Sequence, residues 1–486
     1  MRKLSFPFLA LAVASCTVGP NYIGPPNSPP DATPGTKFVR APASASPDEP
    51  ALAQWWISLG DPVLNSLEAR ALAGNPGLAA ALARIAQARQ NVRFERAEQF
   101  PTGAAQGTYV HADLPGLNLD TAASAGESGA QKLDGTSIDF FNLGLNANWE
   151  IDLWGGQRRT AEAANAQLGA AVANGADAQV QLTAEVAQAY VNLRERQHRL
   201  SSLRRDRVLR QQQLRLAEQR FQRGTTAVFV VERVRTQLNG TETDIAAVEA
   251  ERDSYLNAIA ALTGTTPGVL DPLLAPMSAI PLPPASVAIG NPASLIARRP
   301  DIRAAERNLA AASARIGVVE AARLPNISFL GILGIGGTSA DELFDHDNMS
   351  KIAIPQIQWG ILDFGRSLAR LRQTRSGRDE ALAQYQQVVL GALQDVETAL
   401  ARFGHQRENV AALAKISASA ERSSLLMRQR YDAGVTTLGD ALEAERQSHE
   451  AERNFRAGTA ALTGSFVAVQ KSLGLGWQQP TDVRLR

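Results

Sequence analysis

The amino-acid sequence contains one long unit twice. Residues in the second half repeat residues in the first half at a constant distance of 210 positions, so that Trp149 returns as Trp359 and Gly224 returns as Gly434. No gap is needed across that block. Solenoid repeats have periods of about 20 to 50 residues. The much longer period found here predicts two pseudo-equivalent halves of one structure.

The distance between the two copies changes upstream of that block. Pro76 matches Pro300 and Pro101 matches Pro325, both 224 positions apart. The difference in length, 224 minus 210 or 14 residues, therefore lies between Pro101 and Trp149. A duplication that keeps its register through long helical patterns, and varies in one polar, glycine-rich hairpin, indicates a rigid scaffold with a tolerant loop at one end.

The charge balance excludes partners that are recognised by a strong electrostatic field. The chain of 486 residues carries 49 lysines and arginines against 48 aspartates and glutamates, a net charge of +1. Such a balance gives no global field for nucleic acid, and we expect no nucleic-acid partner. The single cysteine, Cys16, excludes an intrachain disulfide framework and a cysteine-rich zinc site.

The first residues have the layout of a secretory signal. Arg2 and Lys3 precede an apolar run over 4–14, which is too short to span a bilayer. The cysteine directly after this run resembles a bacterial lipobox, so we expect residues 1–15 to be a signal peptide and Cys16 to be the lipidated amino terminus. The alternative is an ordinary signal peptide with an incidental cysteine. Three acyl chains anchor a protein far more firmly than one chain does.

Residues 16–50 are rich in proline, alanine and serine and lack an apolar period. This composition is typical of an extended linker. We expect a lipidated strap that leads from the membrane to the folded body and needs no core of its own.

Both halves predict unusually long helices. No proline occurs between Pro115 and Pro267, or between Pro355 and Pro480, so a helix can continue through either stretch. Apolar residues of the second half recur at alternating spacings of four and three, which is the pattern of a coiled-coil seam. These residues are Val389, Leu393, Val396, Leu400 and Phe403. We expect a long helix over about 158–221 and shorter helices over about 76–99, 228–263, 300–323 and 438–473.

Between its short first helix and its long helix, each half changes to the period of a strand. Apolar and polar residues alternate over 141–149, which predicts a strand with one apolar and one polar face. The pattern is less regular over 327–335, is interrupted by Pro355 over 352–359, and is weakest before His111. The aromatic end of the first of these strands fits a membrane interface.

Four strands in one chain cannot close a barrel around a lumen. Open sheet edges do not occur in the hydrocarbon region of a bilayer, so strands from several copies must join there. The alternative is a soluble hairpin in each half that packs on the helices. The secretory signal and the lipobox-like cysteine favour the membrane.

Several motifs in order together resemble one known family over essentially the entire mature chain. They are Cys16-Thr17-Val18-Gly19-Pro20, Trp55-Trp56, Asp61-Pro62, Trp149-Glu150-Ile151-Asp152-Leu153-Trp154-Gly155, Arg299-Pro300-Asp301 and Arg430-Tyr431-Asp432-Ala433-Gly434. The set closely resembles the TolC-like outer membrane factors, and its start is similar to the lipoprotein branch typified by OprM and NodT. The resemblance implies an α+β membrane protein in which three duplicated chains form an outer-membrane β-barrel, a long periplasmic helical barrel and a mixed equatorial domain.

The duplication and the resemblance together predict a domain order. A structural repeat of helix, β-hairpin, long helix and helix occurs twice, with equatorial segments before, between and after. The predicted ranges after the strap are the equatorial segment 51–75, the first repeat 76–264 with hairpin 101–149, the equatorial linker 265–299, the second repeat 300–474 with hairpin 325–359, and the tail 475–486.

The resemblance implies that the tunnel closes where the long helices turn back, at the periplasmic tip. The matching turns contain Gly224 and Thr225 in the first half, and Gly434, Val435 and Thr436 in the second half. Glycine permits the left-handed backbone that such a reversal often needs. By the same resemblance these turns are the docking tips for a periplasmic adaptor. Thr436 departs from the pattern, because some members have an arginine there.

The positions of Asp440 and Glu443 match acidic residues that line the constriction of the family. A threefold axis would place six such carboxylates around one mouth, and their repulsion should raise some pKa values and favour cations. Arg233 lies at the repeat position of Glu443, so Arg233 and Arg223 are candidate partners that close the mouth. The alternative is solvated charge on an ordinary helix. Gly439 also departs from the family, which usually has a bulkier apolar residue there.

The sequence contains no constellation of catalytic residues, and we expect neither enzyme activity nor a cofactor. The best metal-like cluster, Asp345-His346-Asp347, lies in a polar stretch between two predicted strands, which is typical of a solvated external loop. The five histidines are scattered, and no second cysteine accompanies Cys16. We expect no metal site.

The sequence and the resemblance therefore predict a passive exit duct in the outer membrane of a Gram-negative bacterium. We expect a lipid-anchored homotrimer that receives substrates from an inner-membrane pump, most often of the RND multidrug type, through a periplasmic adaptor. Heavy-metal efflux and type I secretion are the alternative systems. A periplasmic coiled-coil spacer without a pore is a further alternative, but such a spacer has no use for two amphipathic hairpins.

Overall fold

The computed structural model describes residues 17–25, 37–51, 53–114 and 136–478. The helices of this part of the chain are α1 (Pro62–Gly74), α2 (Pro76–Ala97), α3 (Gly156–Gln222), α4 (Val228–Leu262), α5 (Asp271–Leu274), α6 (Pro292–Arg298), α7 (Pro300–Ala321), α8 (Arg366–Asp432) and α9 (Leu438–Ser472). The strands are β1 (Ala45–Ser46), β2 (Thr102–Leu114), β3 (Thr136–Ile151), β4 (Val287–Ala288), β5 (Asn326–Gly337) and β6 (Met349–Gln358).

The bounds of the helices repeat the offsets of the sequence. α3 and α8 both have 67 residues, and each bound of α8 lies 210 positions after the matching bound of α3. α4 and α9 both have 35 residues and keep the same offset. α2 and α7 both have 22 residues and are 224 positions apart. The duplication is therefore present in the structure, and the predicted long helices are confirmed.

Side-chain caps fix where several helices begin. Asp61 precedes α1, and its carboxylate accepts from the amides of Val63 (2.8 Å) and Leu64 (3.1 Å). Pro62 follows at the first helical position, where a missing amide costs nothing. The other oxygen of the Asp61 carboxylate accepts from the Tyr190 hydroxyl at 2.6 Å. One aspartate thus starts α1 and ties it to α3.

One compact unit comprises residues 1–24, 87–168 and 308–382. Its antiparallel sheet has the order β2-β3-β5-β6, with Leu145 opposite Leu333 and Trp149 opposite Phe329. The two hairpins predicted from the sequence are therefore present and adjacent. Within the described chain β2 and β6 each have a partner on one side only.

The strand that contains Pro355 is continuous. β6 runs through this proline, which lies opposite Phe329 of β5, although the sequence predicted an interruption there. The physical reason is position, since β6 is an edge strand of the described sheet, where proline is tolerated. β2 likewise continues past His111, where the sequence pattern was weakest.

The second compact unit comprises residues 25–86, 169–307 and 383–486. Its core joins aromatic side chains of the equatorial segment and of both repeats, and Trp55 of the equatorial segment lies edge-on to Phe466 of the second repeat with ring centroids 5.9 Å apart. Buried Phe38 joins this core, and Ala45–Ser46 pairs in parallel with Val287–Ala288. The expectation that the strap needs no core was wrong at these residues. The proline-rich composition indicated a linker, and the single aromatic residue Phe38 formed no apolar pattern that would have predicted its burial.

Both compact units take segments from both repeats, so compactness does not follow the duplication. The domain ranges predicted from the sequence remain predictions. Across the described ranges, none of the helices combines the length and the apolar character that crossing a membrane requires.

Candidate functional site

The first turn of interest ends α3. Gly224 adopts a left-handed backbone with φ of 70°. The Thr225 amide donates to the Arg220 carbonyl (2.9 Å), and the Gly224 amide donates to the Phe221 carbonyl (2.9 Å). This pair of hydrogen bonds satisfies two carbonyls at the helix end and needs a residue that tolerates positive φ. Gly224 is therefore required by the backbone at this tip.

The turn that ends α8 has the same geometry. Gly434 has φ of 72°, and its amide donates to the Tyr431 carbonyl at 2.9 Å. The Val435 amide donates to the Arg430 carbonyl at 2.8 Å. The two predicted tips thus share one backbone conformation, each at the end of a 67-residue helix.

Side chains distinguish the second tip from the first. Thr437 caps α9, and its hydroxyl donates to the Asp440 carboxylate at 2.6 Å while accepting from the Asp440 amide at 3.2 Å. The Thr436 hydroxyl donates to the same carboxylate at 3.1 Å. Ala227 takes the capping position of α4 and offers no side-chain bond. The hydrogen bond from the Thr437 side chain is the main cause that lowers the pKa of Asp440.

Glu443 is held by its own helix. The Arg446 guanidinium donates to both oxygens of the Glu443 carboxylate, at 2.7 and 3.0 Å, and the Gln447 amide adds a bond at 3.1 Å. The hydrogen bond from Arg446 is the main cause that lowers the pKa of Glu443. Arg446 also contacts Glu450 at 2.9 Å. Two of the predicted gate carboxylates per chain are therefore ionised and locally oriented.

The predicted arginine partners do not reach these carboxylates within one copy. Among the described residues, the ion pair of Glu443 is with Arg446, one turn along α9, and α4 contributes Arg235, which pairs with Glu218 at 3.1 Å. Neither Arg223 nor Arg233 takes part in an ion pair in the described part of the chain. Closure by these arginines remains a prediction about the assembly of three copies.

Comparison with known proteins decides the family. A family model described as outer membrane efflux protein matches residues 67–265 and 291–475. The chain belongs to this family. Nodulation protein T of Rhizobium leguminosarum bv. trifolii is 28% identical over 98% of this chain and 97% of its own length. Outer membrane protein OprJ of Pseudomonas aeruginosa is 29% identical over 99% of this chain and 98% of its own length.

A solved structure agrees with the family match. The outer-membrane channel OprN covers 96% of this chain and 100% of its own chain, with a TM-score of 0.82 and 31% identity. The predicted TolC-like α+β fold is therefore confirmed. As a member of the outer membrane efflux protein family, the chain is not an enzyme. It is an outer membrane efflux protein, and its solved relative OprN is an outer-membrane channel.

Apolar side chains are exposed beside both tips of this family member. Val435 lies in the second turn and is 64% exposed. Val228 and Phe229 begin α4 after the first turn and are likewise exposed. A single copy therefore presents apolar surface at the predicted docking tips Gly224, Thr225, Gly434, Val435 and Thr436.

The structure gives no support for a function at the other candidate sites that it describes. Asp345, His346 and Asp347 lie between β5 and β6, where the Asp345 carboxylate accepts from the Asp347 amide at 3.0 Å and caps a short 3₁₀ helix. Within the ranges that the structure describes, no three such side chains are arranged so that they could hold a metal ion. Cys16 lies outside the described residues, so its lipidation stays a prediction.

Sequence reasoning missed the residues that orient the gate carboxylates. Arg446 follows Glu443 by three positions and precedes Glu450 by four, which is the spacing of ion pairs on one helix face. Thr437 precedes Asp440 by three positions, which is the spacing of a capping box. Both signals were present in the sequence, and local pairing explains these carboxylates before any partner from the first repeat is needed.

Proposed function

We propose that three copies of this chain form a passive exit duct whose periplasmic mouth is closed at the two tips and lined by Asp440 and Glu443. The observation that carries the proposal is the matched pair of glycine turns, of which only the second is followed by an acidic pair. A threefold axis through such tips turns two carboxylates per chain into a ring of six.

Two opposed effects set the charge of this ring. Hydrogen bonds from Thr437 and Arg446 lower the pKa of Asp440 and Glu443 within each copy. Mutual repulsion in the trimer acts in the other direction and raises some of the six values. Because the local bonds hold both groups ionised, the closed mouth favours cations over anions.

The adaptor docks at the tips by the same proposal. Val228, Phe229 and Val435 are exposed in one copy, and an adaptor that covers them gains about 25 cal/mol for each Å² of apolar surface removed from water. Arg223 and Arg233 have no ion-pair partner among the described residues of the chain. They are available to carboxylates of a neighbouring copy or of the adaptor.

The inner-membrane partner is proposed to be an RND-type multidrug pump. A toluene efflux pump outer membrane protein of Pseudomonas putida is 28% identical over 96% of this chain and 96% of its own length, which supports small apolar or amphipathic cargo. Heavy-metal ions and type I secreted proteins are the alternative cargo. Restoring resistance to organic solvents and dyes in a strain that lacks its own outer membrane channel supports the RND assignment, whereas restoring only metal resistance or only protein secretion overturns it.

Planar bilayers test the mouth directly. Asp440→Ala with Glu443→Ala should abolish the cation selectivity of the wild-type channel. Arg233→Ala should raise single-channel conductance, because a tie from the first repeat is lost. Asp244→Ala is the matched control, since it removes an exposed carboxylate from α4 far from the turn. Selectivity and conductance equal to wild type in the gate variants would place the constriction elsewhere.

A further inference from the structure

Four helices adjoin the sheet, and their segments next to it line one cavity. α2 precedes β2, α3 follows β3, α7 precedes β5 and α8 follows β6, so the helices follow the order of the strands. The cavity has a volume of about 430 Å³. Its lining includes Asn91 and Glu95 of α2, Thr160 of α3, Val318 of α7, and Arg370 and Thr374 of α8. A layer whose four members all line one cavity curves around it, so the cavity marks the concave face and the other face is convex.

The convex face of α2 carries three arginines. Arg89, Arg93 and Arg96 are spaced by four and three positions, which places them within about 60° of one another around the helix. Asn91 and Glu95, which line the cavity, stand two positions on either side of Arg93 and therefore about 160° from it. Arg93 thus points away from the cavity. The side chains of Arg93 and Arg96 are exposed.

These three arginines lack a carboxylate partner among the described residues. None of them takes part in an ion pair there, and Arg93 donates only to the Gln90 side chain, at 3.4 Å. The same stretch of α2 contains two carboxylates. Glu95 faces the cavity, and Glu98 lies about 140° from Arg93 around the helix. The chain therefore leaves positive charge on this face for an anion from outside the chain.

The other edge helix of the chain adds an arginine to the convex face. Arg370 and Thr374 of α8 line the cavity, and Arg372 stands two positions from each of them, so it points to the opposite side. Arg372 is exposed and has no ion pair within the described chain. α2 and α8 adjoin β2 and β6, the outer strands of the described sheet. In the proposed trimer, α8 of one copy therefore meets α2 of the next.

The two central helices show that the fold itself does not require these arginines. The second repeat has Ser313, Gly317 and Glu320 at the positions that match the three arginines of α2, 224 residues later. The first repeat has Glu162 at the position that matches Arg372, 210 residues earlier. The same layer of helices thus forms with neutral or acidic residues at all four positions. The unpaired positive charge is confined to the helices that meet between copies.

The arginines of α2 lie close to the level of the membrane surface. The Trp149 indole donates to the Gln99 carbonyl at 3.1 Å, and Phe100 beside it is 68% exposed. Aromatic side chains at strand ends are typical of a membrane interface. Arg96 and Arg93 precede Phe100 by four and seven residues, or about 6 and 10 Å of helical rise. The headgroup layer is about 5 to 8 Å thick, and a long arginine side chain bridges the remainder.

We propose that Arg89, Arg93 and Arg96 of one copy, together with Arg372 of the next, bind the phosphate groups of anionic phospholipids in the periplasmic leaflet. We name these four residues the arginine collar. A guanidinium group donates two parallel hydrogen bonds to phosphate oxygens, which suits it to this ligand. Each arginine near an anionic surface strengthens binding roughly fivefold. Only the contribution of Arg372 rests on the proposed trimer, because the other three residues belong to one helix.

Electron paramagnetic resonance of spin-labelled lipids tests the collar. In vesicles that contain the wild-type protein at low salt, the fraction of immobilised phosphatidylglycerol should exceed that of phosphatidylcholine, with an association constant roughly fivefold higher or more. Arg93→Gln with Arg96→Gln should remove most of this preference. Arg370→Gln is the matched control, since it removes an arginine from the cavity side of α8. No preference in wild type, no loss in the double variant, or an equal loss in the control would overturn the proposal.

Salt separates a lipid headgroup from free phosphate. Sodium chloride at 0.5 M shortens the Debye length to about 4 Å and should weaken the preference for phosphatidylglycerol. Sodium phosphate at the same ionic strength should weaken it equally. A much larger loss in phosphate would show a site for the free anion and would overturn the assignment to lipid.

Conductance separates this inference from the proposed function. The double variant should form trimers and conduct ions like wild type in planar bilayers, because the collar lies outside the duct. Conducting trimers that show no lipid preference would refute the collar alone. A wild-type protein that prefers phosphatidylglycerol and yet forms no conducting trimer would refute the duct and leave the arginines of α2 supported.

Discussion

The two repeats differ in the side chains near the two ends of their long helices and agree in the length of those helices. The helices α3 and α8 have 67 residues each, without an insertion in either. At one end the first repeat has Arg159, whose buried guanidinium donates to the Asn21 side chain at 2.6 Å, and the second repeat has Ala369 at the matching position. At the other end the second repeat holds Asp440 in a capping box, and the first repeat has no side-chain cap. The two repeats therefore share one arrangement of helices, and each repeat has its own contacts at one end of its long helix.

The largest expected effect concerns the apolar face of the first hairpin. Leu143 and Leu145 are each 56% exposed in one copy, and we expect a trimer in lipid to place them against hydrocarbon. Leu143→Arg should destabilise the inserted trimer by about 2 to 4 kcal/mol, because an arginine near the bilayer midplane is poorly solvated. Urea titration of the trimer in vesicles measures this loss.

Asn146→Arg is the control for that variant, since Asn146 lies on the opposite face of β3. Its amide donates to the Gln106 side chain at 2.7 Å, so the substitution loses one hydrogen bond and should cost much less. Equal damage from the two variants would mean that β3 is buried on both faces and that the sheet does not meet lipid.

The second prediction compares the matched glycines. Gly155→Ala and Gly365→Ala should each cost about 1 kcal/mol or somewhat more for the left-handed backbone. Gly155→Ala should cost about 1 to 3 kcal/mol in addition, because the new methyl group overpacks against Thr17. The difference between the unfolding free energies of the two variants measures the contact between position 155 and Thr17. A difference near zero would show that this contact does not contribute to stability.

The third prediction concerns Glu68, which has Pro292 at the repeat position 224 residues later. The Glu68 side chain in α1 is fully buried, neither carboxylate oxygen has a hydrogen-bond partner, and burial raises its pKa well above the usual range. The folded state therefore keeps a proton that the unfolded state releases near pH 4. Wild type should lose stability as the pH rises from that range through the raised pKa.

Glu68→Gln removes this dependence. At neutral pH the variant should be more stable than wild type, because the amide is neutral at every pH and folding no longer has to protonate or bury a carboxylate; each unit by which burial raises the pKa of Glu68 corresponds to about 1.4 kcal/mol. The gain should vanish toward pH 4, and thermal unfolding across that range measures it. A gain that is the same at every pH would show that Glu68 is not the titrating group.

The smallest expected effect is at the capping position of the tip helices. Thr437→Ala should destabilise α9 by about 1 kcal/mol, because the Asp440 amide loses its acceptor. Ala227→Thr, at the matching position of α4, should stabilise by a similar or smaller amount. Hydrogen exchange in the first turns of α9 and α4 separates the two effects. Faster exchange in α9 of Thr437→Ala together with slower exchange in α4 of Ala227→Thr supports a difference in capping between the two tips. A change in the same direction in both variants contradicts it.

The sequence predicted most of the frame, because periodicity is a local property. The long helices, both hairpins and the glycine turns each follow from a pattern within one segment. The contacts of Gly19 with Gly317 and of Tyr22 with Ala310 could not be predicted, because these residues are far apart in the chain and belong to no common local pattern. Buried Phe38 was missed for the same reason. A single aromatic in a proline-rich stretch has no period.

The site was predicted less completely than the fold. The resemblance selected Asp440 and Glu443, and their oriented carboxylates agree with a constricting role, which stays a proposal. The immediate partners of those carboxylates are Thr437 and Arg446 in place of the arginines of the first repeat. Helical spacing would have found Arg446, because a three-residue step places two side chains on one face.

The open sheet has a consequence for how this protein is made. Among the residues that the structure describes in one copy, no strand pairs with the outer edges of β2 and β6, and all ten residues of β6 are exposed. Such edges offer unpaired amides and carbonyls that bind any available strand. A newly exported copy is therefore exposed to misassembly until it meets two others, and its yield should depend on local concentration and on escorts that shield strand edges. Overproduction without such escorts should drive aggregation through the hairpins before it affects the helices.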